Sequence, residues 1–315
     1  MTKARENSDY TGLAADIAAA TPTVSATAPS SPAAGEMWFD TNANSLAMKV
    51  WKGSYWNLLN NSFSASGGTI STYVANGIQY RVHKFLSSGT FTVVGSGLVE
   101  YLVVAGGGGG GGTAAEQNGA GGAGGYRSSL VGESTGGGGT LESALLLTDS
   151  AHTVTIGGGG AAGGSGQAGV NGSNSVFSSI TSLGGGGGAL RYNNGASGGS
   201  GGGGGDVETG TTAGGAGTAG QGFAGATGRN HGNPTHWTDA GGGGGAGSAG
   251  GVGGTGQAYS AGDGLASATA GVTLAKGGTV DEDPDPNIAG TANSGNGGGT
   301  LYAGGSGIVL VRYVI

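Results

Sequence analysis

Glycine constrains this chain more than any other residue. Of 81 glycines in 315 residues, 72 lie between Gly106 and Gly307, and none follows. About every third residue of that stretch is glycine, against a usual share of about 7%. Each glycine costs about 0.5–1 kcal/mol relative to alanine in regular structure. A folded body built this way must therefore recover the loss through dense backbone hydrogen bonding.

Three architectures compete for such a stretch. Collagen needs a strict Gly-X-Y period and abundant proline, yet the blocks at 106–112, 184–188, 201–205 and 241–245 break any such period, and the whole chain holds 6 prolines. A flexible linker does not carry recurrent apolar inserts such as LLLTDSAHTVTI (145–156) and SVFSSITSL (175–183). Polyglycine II fits best. It has three residues per turn, rises about 3.1 Å per residue and makes no internal hydrogen bonds, so its N–H and C=O groups all point to neighbours. The main glycine runs start at 106, 136, 157, 184, 201, 241 and 297 with no constant spacing, which argues against identical solenoid repeats.

The flanks are ordinary β sequence. Met37 to Asp40, Leu46 to Trp51 and Tyr55 to Leu58 are aromatic and apolar runs separated by turn residues, the pattern of a small antiparallel meander. Trp38, Trp51 and Trp56 are expected to pack on one another as an aromatic ladder; a sugar-stacking platform is the alternative. TISTYVA and IQYRVHKF flank Asn76-Gly77, a strong two-residue hairpin signal. GTFTVV and LVEYLVVA follow. Residues 98–105 and the closing GIVLVRYVI do not alternate cleanly, which predicts strands buried on both faces. The closing strand is expected to pair with the strands around residues 90–105, so that both ends of the body meet in one sheet.

Five segments result: 1–34 an extended arm and linker, 35–62 the Trp-rich meander, 63–105 a β platform, 106–307 the glycine-rich body and 308–315 its closing strand. The expected fold class is all-β with polyglycine II, in which a β-sandwich-like platform carries a slab of packed glycine helices.

Composition excludes several functions. A net charge of -7 with 9% charged residues offers no basic surface for nucleic acid. The absence of cysteine removes disulfides, thiolate metal sites and cysteine nucleophiles. No apolar stretch of transmembrane length occurs, and Glu6, Asp9 and Asp16 interrupt the N-terminus, which is not expected to act as a Sec signal.

The residues Pro32, Gly35, Trp38, Asp40, Thr41, Leu46, Val50, Trp51, Gly53 and Trp56 form an arrangement that resembles a short module of bacteriophage tail-fibre and related virion proteins. The order FTVVGSGLVEYLVVAGGGGGGG, GGAGGYRSS, HTVTIGGGG, GSNSVFSSITSLGGGGGA and AGGSGIVLVRY is similar to the glycine-rich domain of phage fibre proteins and prophage genes. It also resembles the polyglycine-sandwich adhesins at the fibre tips of T-even-type phages. Those adhesins are separate tip subunits, whereas here the domain trails a fibre-like N-terminus. The resemblance implies virion attachment through Trp38, Trp51 and Trp56, host-surface binding through loops between glycine helices, a homotrimer, assembly in the host cytoplasm and location in the virion tail fibre. The implied partners are a host-cell receptor, either glycan or outer-membrane protein, and other tail proteins.

Motifs for chemistry are sparse. GxGxxG matches often without a βαβ context, and no phosphate-binding P-loop occurs. Gly201 to Asp206 satisfies GGxGxD once, but Glu208 stands where a calcium β-roll takes an apolar residue. Asp281, Glu282, Asp283 and Asp285 read as a solvated turn, with cation binding the alternative. His83, His152, His231 and His236 lack metal-site spacing. No enzyme, cofactor or metal is expected. The bulky interruptions are more informative, because aromatic rings stack on sugars while Arg and Asn hydrogen-bond them. The candidate receptor contacts are Arg191, Tyr192 and Asn194; Arg229, Asn230, His231, Asn233, His236 and Trp237; and Tyr259. A structural spacer with no receptor site of its own is the competing reading.

Overall fold

The structure is a computed structural model that describes residues 21–42, 47–58, 63–112, 118–229, 239–251, 260–280 and 289–315. In chain order the strands are β1 (Thr23–Ser25), β2 (Met37–Asp40), β3 (Ala47–Trp51), β4 (Trp56–Leu58), β5 (Ser64–Ser66), β6 (Thr69–Ala75), β7 (Ile78–Phe85), β8 (Gly89–Val94) and β9 (Gly97–Val104). Within the glycine-rich stretch come β10 (Tyr126–Ser128), β11 (Leu145–Leu147), β12 (Ser150–Thr155), β13 (Ser175–Phe177), β14 (Ile180–Ser182), β15 (Thr211–Thr212), β16 (Gly228–Arg229), β17 (Leu265–Ser267) and β18 (Val272–Leu274). The last is β19 (Ile308–Val314). The fold is all-β, with no helix among the described residues.

The hairpin β6–β7 turns where the sequence places it. Asn76 and Gly77 both hold positive φ, 51° and 72°, as a type I′ turn requires. The strand β19 lies between β7 and β9, antiparallel to both, with Ile308 opposite Val104. The body therefore leaves and re-enters the sheet at adjacent positions. The expectation of two buried faces holds for both strands. Val99, Tyr101, Val103, Val309, Val311 and Tyr313 pack with Phe91, Val93, Val154 and Phe177. Leu102, Val104, Ile308 and Leu310 pack on the other side with Tyr126, Leu130 and Leu274.

The second layer of the sandwich is the sheet β14-β13-β12-β8-β5. Here the structure departs from a single glycine excursion, because β10, β11, β12, β13 and β14 all belong to the platform. The cause is the apolar inserts. Glycine segments offer no side chains to bury, so LLLTDSAHTVTI and SVFSSITSL return to cover Phe91 and Tyr101. The N-terminal strands likewise join the platform. The sheet runs β1-β2-β3-β4-β7, with Trp56 opposite Ile78 at the junction. The first of these strands lies in the segment expected as a linker and pairs in parallel with β2.

Glycine segments pack with a hydrogen-bond period of three. Gly106, Gly109 and Gly112 donate to Ser173, Val170 and Gln167; Gly107 and Gly110 to Gly305 and Tyr302; Gly108 and Gly111 to Gly122 and Gly119. Partner numbers fall by three, so these three neighbours run antiparallel. The carbonyls of the same run accept from Gly185 and Gly188, from Gly160 and Gly163, and from Gly298 and Leu301. Those numbers rise by three, so these neighbours run parallel. Six segments thus surround one. The direction of successive bonds rotates by a third of a turn per residue, as a helix of three residues per turn requires.

The segment 119–125 is a second hub. Its amides reach Ala189, Gly186 and Leu183; Gly241 and Gly244; and Gly298 and Gly295. The only side chains on this hub, Ala120 and Ala123, sit three apart on one row and meet Ala240 with Val280, and Ala246 with Ala275. At the slab edge side chains replace a backbone neighbour with the same period: the Oδ1 atoms of Asn174 and Asn171 accept from Gly184 and Gly187 at 2.9 and 2.8 Å.

Candidate functional site

The hydrogen-bond ladder ranks the loops by distance from the platform. Gly106 lies next to the platform strand, and its partners at that level are Ser173 and Gly185. Gly112 is six residues further on, roughly 19 Å at the rise of an extended threefold helix. Around it gather Gln167, Asn118 and Leu301, and the amide of Arg191 donates to Asn118 Oδ1 at 2.9 Å. One end of the slab therefore abuts the sandwich. The opposite end carries turns.

Four candidate residues share that far end. Gly205 donates to the carbonyl of Asn193, which brings the 190–194 turn beside residues 205–208. Ala213 donates to Asn194 Oδ1 at 2.8 Å. Through β15 and β16, Thr211 lies opposite Arg229, whose amide donates to Asp239. Arg191, Tyr192, Asn194 and Arg229 thus lie along one rim although up to 38 residues separate them in sequence.

The centre of this rim is a charged cluster. Arg191 donates from Nε to Asp206 Oδ2 at 3.3 Å, approaches Glu208 Oε1 with Nη2 at 3.8 Å, and lies over the Tyr192 ring at 4.7 Å. The Tyr192 hydroxyl donates to Glu208 Oε1 at 2.8 Å, and that bond raises the phenol above its ordinary pKa. Burial raises the Asp206 carboxyl, while Arg191 opposes the shift. Tyr192 is 52% exposed and has φ 68°, a left-handed conformation uncommon for an aromatic residue and often found at functional loops. The arrangement presents a ring, a guanidinium and a carboxylate on a fixed support, suited to polar and saccharide surfaces.

Asn230, His231, Asn233, His236, Trp237 and Tyr259 lie outside the described residues, as does the acidic 281–285 segment. The described residues that bracket them, Arg229 with Asp239, Gly251 with Ser260 and Val280 with Ala289, stand on slab segments running toward or back from the same far end. The partners Asp206 and Glu208 entered the sequence analysis only through an imperfect GGxGxD match and were not among the receptor candidates. Asp206 is held by Arg191, and no group of three His, Asp or Glu residues suited to a metal occurs among the described residues.

The tryptophans sit elsewhere. Trp38 and Trp56 are 2% and 1% exposed and meet edge to face at 5.5 Å, and Trp51 meets Trp56 at 5.4 Å. Trp38 Nε1 donates to the Ser25 carbonyl, and Lys49 Nζ lies 4.7 Å from the Trp38 ring while pairing with Asp40 at 2.7 Å. Any attachment through this region uses the shape these rings maintain, because two of the three are covered. His83 is buried against Phe91, and His152 bonds Ser150 and Ser178.

A two-layer β-sandwich that carries a hexagonally hydrogen-bonded glycine slab defines a glycine-rich structural class. The chain belongs to the family described as a glycine-rich domain, whose model matches residues 86–314. No curated protein matches the sequence.

Proposed function

We propose that this protein is a non-enzymatic phage tail-fibre adhesin, attached to the virion through its N-terminal strands and bound to the host surface through the far-end turns of its slab. The observation that carries the reading is the separation of the two regions. The turns bearing Arg191, Tyr192, Asn194 and Arg229 gather at the slab end opposite the platform, and the N-terminal meander continues the platform sheet. The sequence resemblance to phage fibre modules supports the same reading. A slab in which backbone groups are paired in several directions is stiff, so the turns are presented with a reduced backbone-entropy cost on binding. A homotrimer would display three such ends, and weak contacts summed over a virion give effective attachment. Neither nucleic acid nor membrane insertion enters this reading.

The test is binding of the full chain to candidate host cells, against a variant carrying Arg229→Ala, His231→Ala, His236→Ala and Trp237→Ala and a second carrying Arg191→Ala with Tyr192→Ala. Loss of binding with unchanged melting temperature supports the adhesin. An intact chain that binds no host reassigns the body as a spacer in the virion and moves recognition to a partner protein.

A further inference from the structure

A cleft of about 660 Å³ opens where the N-terminal meander meets the platform, a volume typical of small-ligand sites. It arises from strand alternation. Trp38 and Asp40 on β2, Lys49 and Trp51 on β3 and Trp56 on β4 all point to one face, because Trp38 lies opposite Lys49 and Trp51 opposite Trp56. The platform contributes Tyr80, Glu100 and Arg312 to the same cleft, and Pro29 and Pro32 close one side.

The polar groups here are already paired by sign. Asp40 holds Lys49, and Glu100 holds Arg312. Neither an anion nor a cation finds an uncompensated opposite charge. Two atoms are nevertheless open. Glu100 uses Oε2 alone, accepting from Arg312 Nε at 2.8 Å and from the Val131 amide at 3.0 Å. Its Oε1 has no hydrogen-bond partner among the described residues. The Tyr80 ring is stacked on Tyr73 at 5.5 Å and covered by Arg312 at 4.6 Å, yet its hydroxyl too lacks a hydrogen-bond partner among them. Burial and the nearby Glu100 push this phenol up to about 12, so it remains a donor at neutral pH. The partly exposed Trp51 ring lines the same cleft, held against Gly77 and Trp56.

We propose that this cleft is a second ligand site, which binds a neutral saccharide with a pyranose face on Trp51 and hydroxyls on Tyr80 and Glu100. A fixed indole, one open donor and one open carboxylate oxygen in a charge-balanced pocket match a polyol ring with apolar C–H faces. The site is separate from the slab-end turns; the adhesin reading uses these N-terminal strands for virion attachment and assigns no small ligand to the cleft.

Tryptophan fluorescence and calorimetric titration of the full chain with maltose, lactose and N-acetylglucosamine test the site. At least one probe is expected to bind with Kd in the millimolar range. Tyr80→Phe keeps the stacked ring and removes only the hydroxyl, and is expected to weaken that binding about tenfold. Trp51→Ala should abolish it, and Val272→Ala, an exposed position outside the cleft, should leave it unchanged. Melting curves of each variant separate lost affinity from lost fold. Failure of all three sugars to bind, or equal affinity in folded Tyr80→Phe and the parent, overturns the proposal.

Discussion

A Cβ atom placed on Gly107 would lie 2.0 Å from the carbonyl oxygen of Asn296. The same distance recurs at Gly110 against Gly299 and at Gly109 against Ala161. Glycine in this body is therefore a contact requirement between segments, imposed by backbone that approaches from several sides. Gly107→Ala should lower stability by more than about 4 kcal/mol, the scale of severe core disruption. Gly158→Ala, with nothing within 4 Å, should change it by less than about 1 kcal/mol in either direction. Paired thermal melts of the two variants decide the point.

Edge amides rely on side chains. Asn171 Oδ1 accepts from Gly187 at 2.8 Å, and Gly187 is buried. Asn171→Ala leaves that donor without its partner, at a cost of about 1–3 kcal/mol. Asn171→Asp keeps an acceptor and should cost less. Chemical denaturation compared across the two variants, with slower loss of protection of the Gly187 amide in Asn171→Asp, is the expected result.

Asp40 and Lys49 form a covered pair at 2.7 Å, and burial holds the Lys49 ammonium below its ordinary pKa. Asp40→Ala would leave that cation alone under Trp38. The expected loss is about 3–5 kcal/mol, whereas the double change Asp40→Leu with Lys49→Met should recover most of it. A double-mutant cycle by thermal unfolding measures both numbers.

His83 is fully covered, and burial lowers its pKa from 6.5 although the Gly67 carbonyl opposes the shift. The folded state thus favours neutral imidazole, while the unfolded chain takes up a proton near its ordinary value. Its contribution is fully present above about pH 6.5 and is lost as pH falls toward the lowered folded value. Melting temperature followed from about pH 7.5 to about pH 5 should fall more steeply in the parent than in His83→Gln. Equal slopes would assign the acid sensitivity to carboxylates instead.

The far-end cluster separates stability from binding. Arg191 is partly exposed, but Asp206 beneath it is covered. Arg191→Ala should raise the Asp206 carboxyl further, because the guanidinium is the opposing charge, and Arg191→Ala with Asp206→Asn should restore the melting temperature. Binding to host cells is expected to remain impaired in both.

Much of the platform was legible in the sequence. The Asn76-Gly77 turn, the tryptophan-rich meander and the non-alternating strands Gly97–Val104 and Ile308–Val314 are local patterns whose physics is carried by neighbouring residues. The return of LLLTDSAHTVTI and SVFSSITSL to the platform was not legible, because an apolar insert states only that it must be covered and not by what. The same holds for the candidate site. Arg191, Tyr192 and Arg229 stand out as bulky interruptions among glycines, but Asp206 and Glu208 gain their role only from the turn that brings them under Arg191.

Composition by itself determined that the body must satisfy its hydrogen bonds between segments, since glycine without side chains has no other means of stabilisation. It also favoured a period of three, the period expected of polyglycine II, and the hydrogen-bond partners between segments are spaced by three. Which segment lies beside which was decided only by the tertiary structure. One glycine run differs from another in little but length and flanks, so the register is set by side chains: by Ile308 opposite Val104, by the asparagines at the edge and by the alanine row through Ala120 and Ala123. That register gathers residues distant in sequence onto one end of the slab.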